Sequence, residues 1–343
     1  MVVMNKNLNA VCVAHGKDVD GISSASLVKL ATGADVYLVN YDGVIDVLQG
    51  LDSRTDLYVC DLGMNESIAN DFLAETKRIA MDGRVTYIDH HPLNDQMKRK
   101  LEKAGVSLVH STQECAGVLT HQHLKEKLPR RAALLACYAA VTDYLDNQPI
   151  AKALIGSFDR QLILLESTML AYALTYEGTK ISFGNRIVRE FQALKFPHEM
   201  NGIPMLAKKQ AGRMKSILER VGKDGKQYGN FAYIESDESS LGLVANLLIG
   251  EFSVPIALAY RRNPHTDMIE MSLRGRYDSE FKLGEIISRI TKKVGGMGGG
   301  HAKASGARIP GGSMQEFLDR LKKELSRRPR ASNTRTRGKR RKA

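Results

Sequence analysis

The chain has no tryptophan, only four cysteines and nine prolines in 343 residues, and 6% aromatic content. Each scarcity excludes something. Cys12, Cys60, Cys115 and Cys137 form no CxxC pair, which argues against a zinc ribbon or a disulfide framework. Two of them lie in apolar strand-like runs, so buried thiols are expected. No apolar run approaches the roughly 18 residues needed to span a bilayer, and MVVMNKNLNA lacks the h-region and cleavage site of a secretory signal. A soluble, cytoplasmic protein with no membrane partner is therefore expected. Acidic residues are missing from RRPRASNTRTRGKRRKA, Arg327 to Ala343, which carries nine basic side chains. Those nine account for most of the net charge of +12 and leave the rest of the chain at +3. The basicity belongs mainly to a tail.

What is present is a body with 43% hydrophobic content, enough for two cores. Its first half alternates short β-branched runs with helical stretches, the pattern of a parallel sheet covered on both faces. Strands are expected at Ala10–His15, Asp35–Tyr41, Asp56–Gly63, Arg84–His91 and Val106–His110. Between them, SSASLVKLATG ends on Gly33, and NESIANDFLAETKRIAMDG opens on a possible Asn65 cap and ends on Gly83. From Gln113 to about Glu177 the pattern is helical. The stretch 179–201 is less regular, and PMLAKKQAGRMKSILERVG reads as a connecting amphipathic helix. A second, smaller α/β unit follows, with strands FAYIES, VPIALAYRR, MIEMSLRG and ASGARI and helices among them. The expected division is a first domain at 1–178, a linker and connecting helix at 179–222, a second domain at 223–326 and a basic tail at 327–343. No repeat of fixed period is present.

The metal-capable residues fall at or just past the expected carboxyl ends of strands. His15, Asp18 and Asp20 follow the first, Asp61 closes the third, and Asp89, His90 and His91 close the fourth; Asp143 lies in a helical segment. In a doubly wound sheet, ligands bind at those ends, so residues far apart in sequence converge. Carboxylates brought that close need a compensating cation, and a mixed imidazole and carboxylate set suits Mn²⁺ or a related divalent ion better than Ca²⁺. A pair of such ions, about 3.5 to 4 Å apart, activates water and neutralises phosphoryl charge during in-line attack. Singly, each residue has a plainer reading. A strand-end Asp often only caps the next helix, and adjacent histidines are often one core residue and one exposed residue. The ordered conjunction of HGKDVDG, CDLG and DHH is what points to a metal site.

These residues resemble the motifs of the DHH phosphoesterase superfamily, named for Asp-His-His and including RecJ-like exonucleases, nano-RNases, cyclic-dinucleotide phosphodiesterases and family II pyrophosphatases. The resemblance spans most of the chain. Its motifs are similar to His15, Asp18 and Asp20 in HGKDVDGIS, Asp61 in VCDLG, Asp89, His90 and His91, and Asp143 in AAVTDYLDN. It implies an α/β parallel-sheet DHH domain with helices on both faces, followed by a smaller α/β DHHA1-like domain. It also implies two Mn²⁺ ions, with Mg²⁺ or Co²⁺ as substitutes. His15, Asp18 and Asp61 would hold one; Asp20, Asp61, His90 and Asp143 would hold the other. Asp89 would orient a histidine from behind, and His91 would face the scissile phosphate as a cation or proton donor. Asp18 stands three residues after His15, closer than in HxxxDxD versions of the motif.

GGMGGGH, Gly295 to His301, lies between an expected helix and an expected strand. A dinucleotide fingerprint has the reverse order, so that reading is rejected. A surface turn is one alternative. The other is that Gly298, Gly299 and Gly300 let backbone N–H groups approach a ligand, with His301 at the rim to contact a phosphate or base; the cluster resembles the DHHA1 domain. Arg274 in SLRG, on a strand end and followed by glycine, also resembles that domain's pattern and suits phosphate oxygens. Arg261, Arg262 and Arg276 are weighed against simple surface solubility, and Tyr277 against packing. For the tail, a solvated extension, a non-specific phosphate-backbone binder and a localisation signal all stand. The expected function is Mn²⁺-dependent hydrolysis of single-stranded RNA or DNA, or short oligonucleotides, from an end. The alternatives are a small-substrate phosphoesterase acting on a cyclic dinucleotide, bisphosphonucleotide or polyphosphate, and a non-catalytic scaffold in replication or repair.

Overall fold

The computed structural model describes residues 9–64, 68–178 and 180–326. The possible Asn65 cap and the basic tail lie outside these residues. The chain divides into two compact units, residues 1–211 and 212–343.

In the first unit the chain runs β1 (Asn9–His15), α1 (Val19–Thr32), β2 (Asp35–Val39), α2 (Val44–Gln49), β3 (Thr55–Cys60), α3 (Ala69–Ala80), β4 (Arg84–Asp89), α4 (Asp95–Lys103) and β5 (Val106–His110). Helices α5 (Ala116–Leu124), α6 (Ala133–Thr142), α7 (Pro149–Ile155), α8 (Arg160–Tyr176) and α9 (Ile181–Gln192) follow, and α10 (Ile203–Asp224) runs on into the second unit. The five strands are all parallel, in the order β2-β1-β3-β4-β5. This is the expected architecture. Strand β3 is buried at every position, as a strand covered on both faces must be, and its Leu57–Cys60 stretch is accordingly a continuous apolar run. One core, with Cys12, Ala14, Tyr58, Cys60 and Ile88, lies under α1, α6, α8 and α9. The other, with Val11, Val13, Leu57, Val59 and Tyr87, lies under α2, α3 and α4. All four cysteines are buried free thiols.

Helix α1 is buried along Val19–Val28, a central helix with no exposed face to give it amphipathic character. It starts where Asp18 caps it, Oδ1 accepting from Gly21 N–H at 3.0 Å, and stops at Gly33 in the left-handed region at φ 75°. The stretch 180–201 is more ordered than its sequence suggests. Helix α9 buries Phe183, Gly184, Ile187, Val188 and Phe191, a one-sided stripe at helical spacing that docks on the core of the first unit.

The second unit adds β6 (Lys226–Tyr228), β7 (Phe231–Glu235), α11 (Leu241–Phe252), β8 (Ile256–Arg262), β9 (Met268–Gly275), α12 (Leu283–Lys293), β10 (Met297–Gly300), β11 (Ala304–Pro310) and α13 (Met314–Ser326). Its sheet order is β10-β11-β9-β8-β7-β6, antiparallel except for β7 with β8. Helices α12 and α13 close one face through Ile287, Ile290, Phe317 and Leu321. On the other face, α11 packs with Ile217 and Val221. Part of the glycine cluster, read from sequence only as the connection between a helix and a strand, forms the edge strand β10.

Candidate metal centre

In a parallel sheet of order 2-1-3-4-5 the chain leaves β1 in opposite directions, and the crevice lies where β1 and β3 end side by side. His15 ends β1, Asp61 follows β3, and Asp89 ends β4 with His90 and His91 just beyond. Asp61 takes a positive φ of 55°, which an aspartate tolerates better than most residues; its N–H donates to Ile88 O at 3.0 Å.

His90 Nε2 is the hub. It lies 3.4 Å from Asp61 Oδ1, 3.6 Å from Asp20 Oδ2 and 3.6 Å from Asp143 Oδ2. Two three-donor groups result, Asp61 with His90 and His91, and Asp20 with His90 and Asp143, each with its ligand atoms within 4.8 Å of one another. His15 and Asp18 meet each other, Nε2 to Oδ2, at 3.6 Å but belong to neither group. His15 Nδ1 is buried without a hydrogen-bond partner.

The electrostatics show what such a cluster costs. Burial, then the charges of Asp143 and Asp18, push the Asp20 carboxyl up to about 8, although the N–H groups of Gly117 and Ala116 pull the other way. Burial and the neighbouring carboxylates drive Asp61 far above the ordinary range, and burial likewise raises Asp143. Desolvation lowers both His15 and His90, keeping these imidazoles neutral. Neutral imidazoles beside carboxylates that resist ionisation among themselves are a donor set that a divalent cation completes. The residues fit the metal that the sequence implies.

The supporting contacts come from distant parts of the chain. Asp89, fully buried, takes His91 Nδ1–H at 2.9 Å and His91 N–H at 3.2 Å, which fixes the tautomer and leaves His91 Nε2 available. Burial pulls the His91 pKa down, but the hydrogen bond and charge of Asp89 outweigh it and raise it. The Tyr87 hydroxyl lies 2.7 Å from Leu62 O and 3.1 Å from Asp89 Oδ2, tying β4 to the turn after β3. Gly63 lies against the His91 ring so closely that a Cβ there would sit 2.7 Å from Cγ. Asp20 accepts from Gly117 N–H at 2.6 Å and Ala116 N–H at 2.9 Å, capping α5 across 96 residues of sequence.

Sequence reading missed several of these. His110, at the end of β5, meets His91 O through Nε2 at 2.7 Å; the strand-end rule that selected Asp61 would have found it. Tyr41, just past β2, has its ring 5.2 Å from that of His15, and burial followed by the charges of Asp61 and Asp89 pushes its hydroxyl up to about 12. Glu114 carried no local signal. It is buried and accepts from Ile150 N–H at 2.6 Å and Ala151 N–H at 3.1 Å, capping α7.

Residues 228–327 match the DHHA1 domain family. Among solved structures, the DHH domain of a protein described as a member of a family of ribosomal proteins aligns with a TM-score of 0.69 at 17% identity, over 92% of this chain and 86% of that one. The chain therefore shares the fold of that DHH-domain protein and carries a DHHA1 domain in its second half. PggH, a pGpG-specific phosphodiesterase from Vibrio cholerae, aligns at 0.60 and 13% identity over 93% of this chain and 99% of its own. RecJ from Thermus thermophilus, crystallised with Mn²⁺, aligns at 0.59 and 15% identity over 94% of this chain and 53% of that one. In sequence, the uncharacterised protein MJ0831 of Methanocaldococcus jannaschii is 31% identical over 99 residues, 28% of this chain and 22% of that relative's length.

Within the DHHA1 domain the glycines divide. Gly298 lacks a side chain because a Cβ would sit 2.8 Å from Ile287 Cγ2 and 2.9 Å from Ala307 Cβ. Gly300, at φ 137°, would strike Ala304 O at 2.6 Å, whereas Gly299 faces open space. His301 is exposed. Its carbonyl accepts from Gly284 N–H at 3.1 Å and that of Ala302 from Leu283 N–H at 3.0 Å, so the turn itself covers the start of α12. Arg274 is half-buried, its guanidinium lying over Gly242 at the start of α11 with no room for a Cβ beneath it. Arg261, Arg262 and Arg276 pair with Glu270, Glu235 and Asp278; the first pair is half-buried and the other two are exposed pairs worth little individually. Tyr277 is 94% exposed.

Proposed function

We propose that this DHH protein is a Mn²⁺-dependent phosphodiesterase that cleaves single-stranded RNA or DNA, or short oligonucleotides, from an end. The observation that carries the reading is the gathering of three carboxylates and two imidazoles at the β1/β3 crevice, where desolvation favours protonated carboxyls that a divalent ion would deprotonate. Asp20, Asp61, His90 and Asp143, with His15 and Asp18 beside them, would hold the ions. Bound there, the ions supply Lewis acidity toward a phosphoryl oxygen and lower the pKa of water. The protein's own residues do the rest. Asp89 holds the proton on His91 Nδ1, so that Nε2 faces outward to meet a phosphate oxygen. Tyr87, Gly63 and His110 keep that ring and its backbone in place. In the DHHA1 domain, Arg274, Gly298, Gly299, Gly300 and His301 contribute substrate contacts, with Arg274 offering a guanidinium to phosphate. Purified protein with Mn²⁺ should shorten end-labelled RNA or DNA oligomers, and Asp61→Ala should abolish this. If the two proteins leave the oligomers equally uncut, the reading fails.

A second reading, a small-substrate phosphodiesterase, is favoured by the fold shared with PggH over 99% of that chain. Side-by-side turnover of oligomers, cyclic dinucleotides and linear dinucleotides separates the two.

A further inference from the structure

Helix α6 delivers Asp143 to the metal centre as its C-terminal capping residue, and the chain then turns sharply. Leu145 N–H donates to Ala140 O at 2.9 Å and Tyr144 N–H to Val141 O at 3.3 Å. This paired arrangement is the Schellman motif, and Leu145 packs against the small core cluster that contains Ala136, Ala139 and Ala140. The residue after the cap must be left-handed, the position where glycine is preferred. Here it is Tyr144, at φ 59°.

The Tyr144 side chain does not repay that strain within the fold. It is 86% exposed. Leu194 makes an instructive contrast: it too is left-handed, at φ 50°, but packs against the main core of the first unit. Tyr144 thus combines backbone strain, which a glycine would remove, with an exposed aromatic ring, and it does so one residue from a metal-centre carboxylate, about 3.8 Å from Cα to Cα. Strain held at such a position by a side chain so largely exposed points to a role outside the fold.

We infer that Tyr144 is a stacking platform for a nucleobase of the substrate, one nucleotide from the phosphate held at the Asp143 side of the centre. The inference rests on the phosphodiesterase reading and extends it: the substrate must carry a base at this position, and any base serves, because stacking uses the π-face that all bases share. The hydroxyl is dispensable and the ring is not.

The test compares wild-type, Tyr144→Gly, Tyr144→Leu and Tyr144→Phe proteins with Mn²⁺ on short single-stranded oligomers bearing each of the four bases, or an abasic residue, at the terminal and penultimate positions. Wild-type protein and Tyr144→Phe should favour base-bearing over abasic oligomers roughly ten-fold in kcat/KM, with little dependence on base identity. In Tyr144→Gly and Tyr144→Leu the ratio should fall to about one. The Tm of metal-free Tyr144→Gly should equal or exceed that of wild type, since glycine relieves the left-handed strain and no packing is lost. An unchanged base preference in Tyr144→Gly, with wild type active, overturns the platform alone. A Tm drop of several degrees would show that the ring is already engaged in the fold, and would also overturn it. If the wild-type protein cuts no oligomer, the phosphodiesterase reading falls and takes the platform with it.

Discussion

At the scale of single residues, the candidate metal centre is a set of carboxylates kept from their ordinary state. Asp20 ionises near 3.8 in an unfolded chain and near 8 in the metal-free fold. Between those values the unfolded chain has released a proton that the fold retains, so the metal-free protein loses stability as pH rises from about 4 to about 8. A bound divalent ion displaces that proton, and its stabilising effect should therefore grow with pH over the same window. Thermal unfolding with and without Mn²⁺ at pH 5.5, 6.5 and 7.5 is expected to show a widening gap in Tm; a constant gap would mean that the carboxylates are already ionised without metal. The sequence made Asp20, Asp61, His90 and Asp143 recognisable through their place at strand ends and in motifs. It did not reveal that Asp20 spends both oxygens on the start of α5, because the partner N–H groups lie 96 and 97 residues away.

At the scale of elements, two buried carboxylates each cap the start of one helix from a distant part of the chain. Asp20 caps α5, and Glu114 caps α7, the helix that follows the Asp143 turn. Replacing Glu114 with alanine strands two N–H groups, and the loss of such a cap from a buried setting costs about 2 kcal/mol. Glu114→Ala should lower stability by that amount in urea unfolding. It should also weaken Mn²⁺ binding in titration calorimetry, because the turn carrying Asp143 loses its downstream anchor. Glu114→Gln, which keeps one acceptor oxygen, should fall between the two proteins in both measurements. A stability loss with Mn²⁺ affinity intact would separate α7 from the centre. Elements with strong periodicity or β-branched runs were legible in advance: the five parallel strands, α1, α3 and the core strands of the second unit. Helix α9 was not read, because its sequence carries Gly184, Asn185 and three β-branched residues, which weaken helix propensity, and only docking of Phe183, Ile187 and Phe191 on the core makes it worth forming. Strand β10 was hidden in the same way, since glycines signal turns unless close neighbours require them.

At the scale of the whole molecule, the charge distribution and the two units set what can be tested. The tail from Arg327 concentrates nine cations, and contacts between such residues and a phosphate backbone release counterions, so their contribution must shrink as salt rises. A chain ending at Ser326 should bind single-stranded oligomers more weakly than the full chain at low salt and with a shallower dependence of affinity on salt. Identical slopes would remove the tail from substrate binding. The sequence by itself determined the α/β class, the parallel first sheet, the smaller second domain and the residue types able to hold a metal, because hydrophobic periodicity and strand-end chemistry are local signals. Only the tertiary structure decided that His90 Nε2 is the hub, that Asp89 serves His91, that Gly63 and His110 hold the DHH turn, and that Tyr144 stands strained and exposed beside Asp143. The hub and the contacts of Gly63 and His110 depend on distances between segments well apart in the chain, and the roles of Asp89 and Tyr144 on the local backbone geometry and burial that packing imposes; neither is written in the residue types alone.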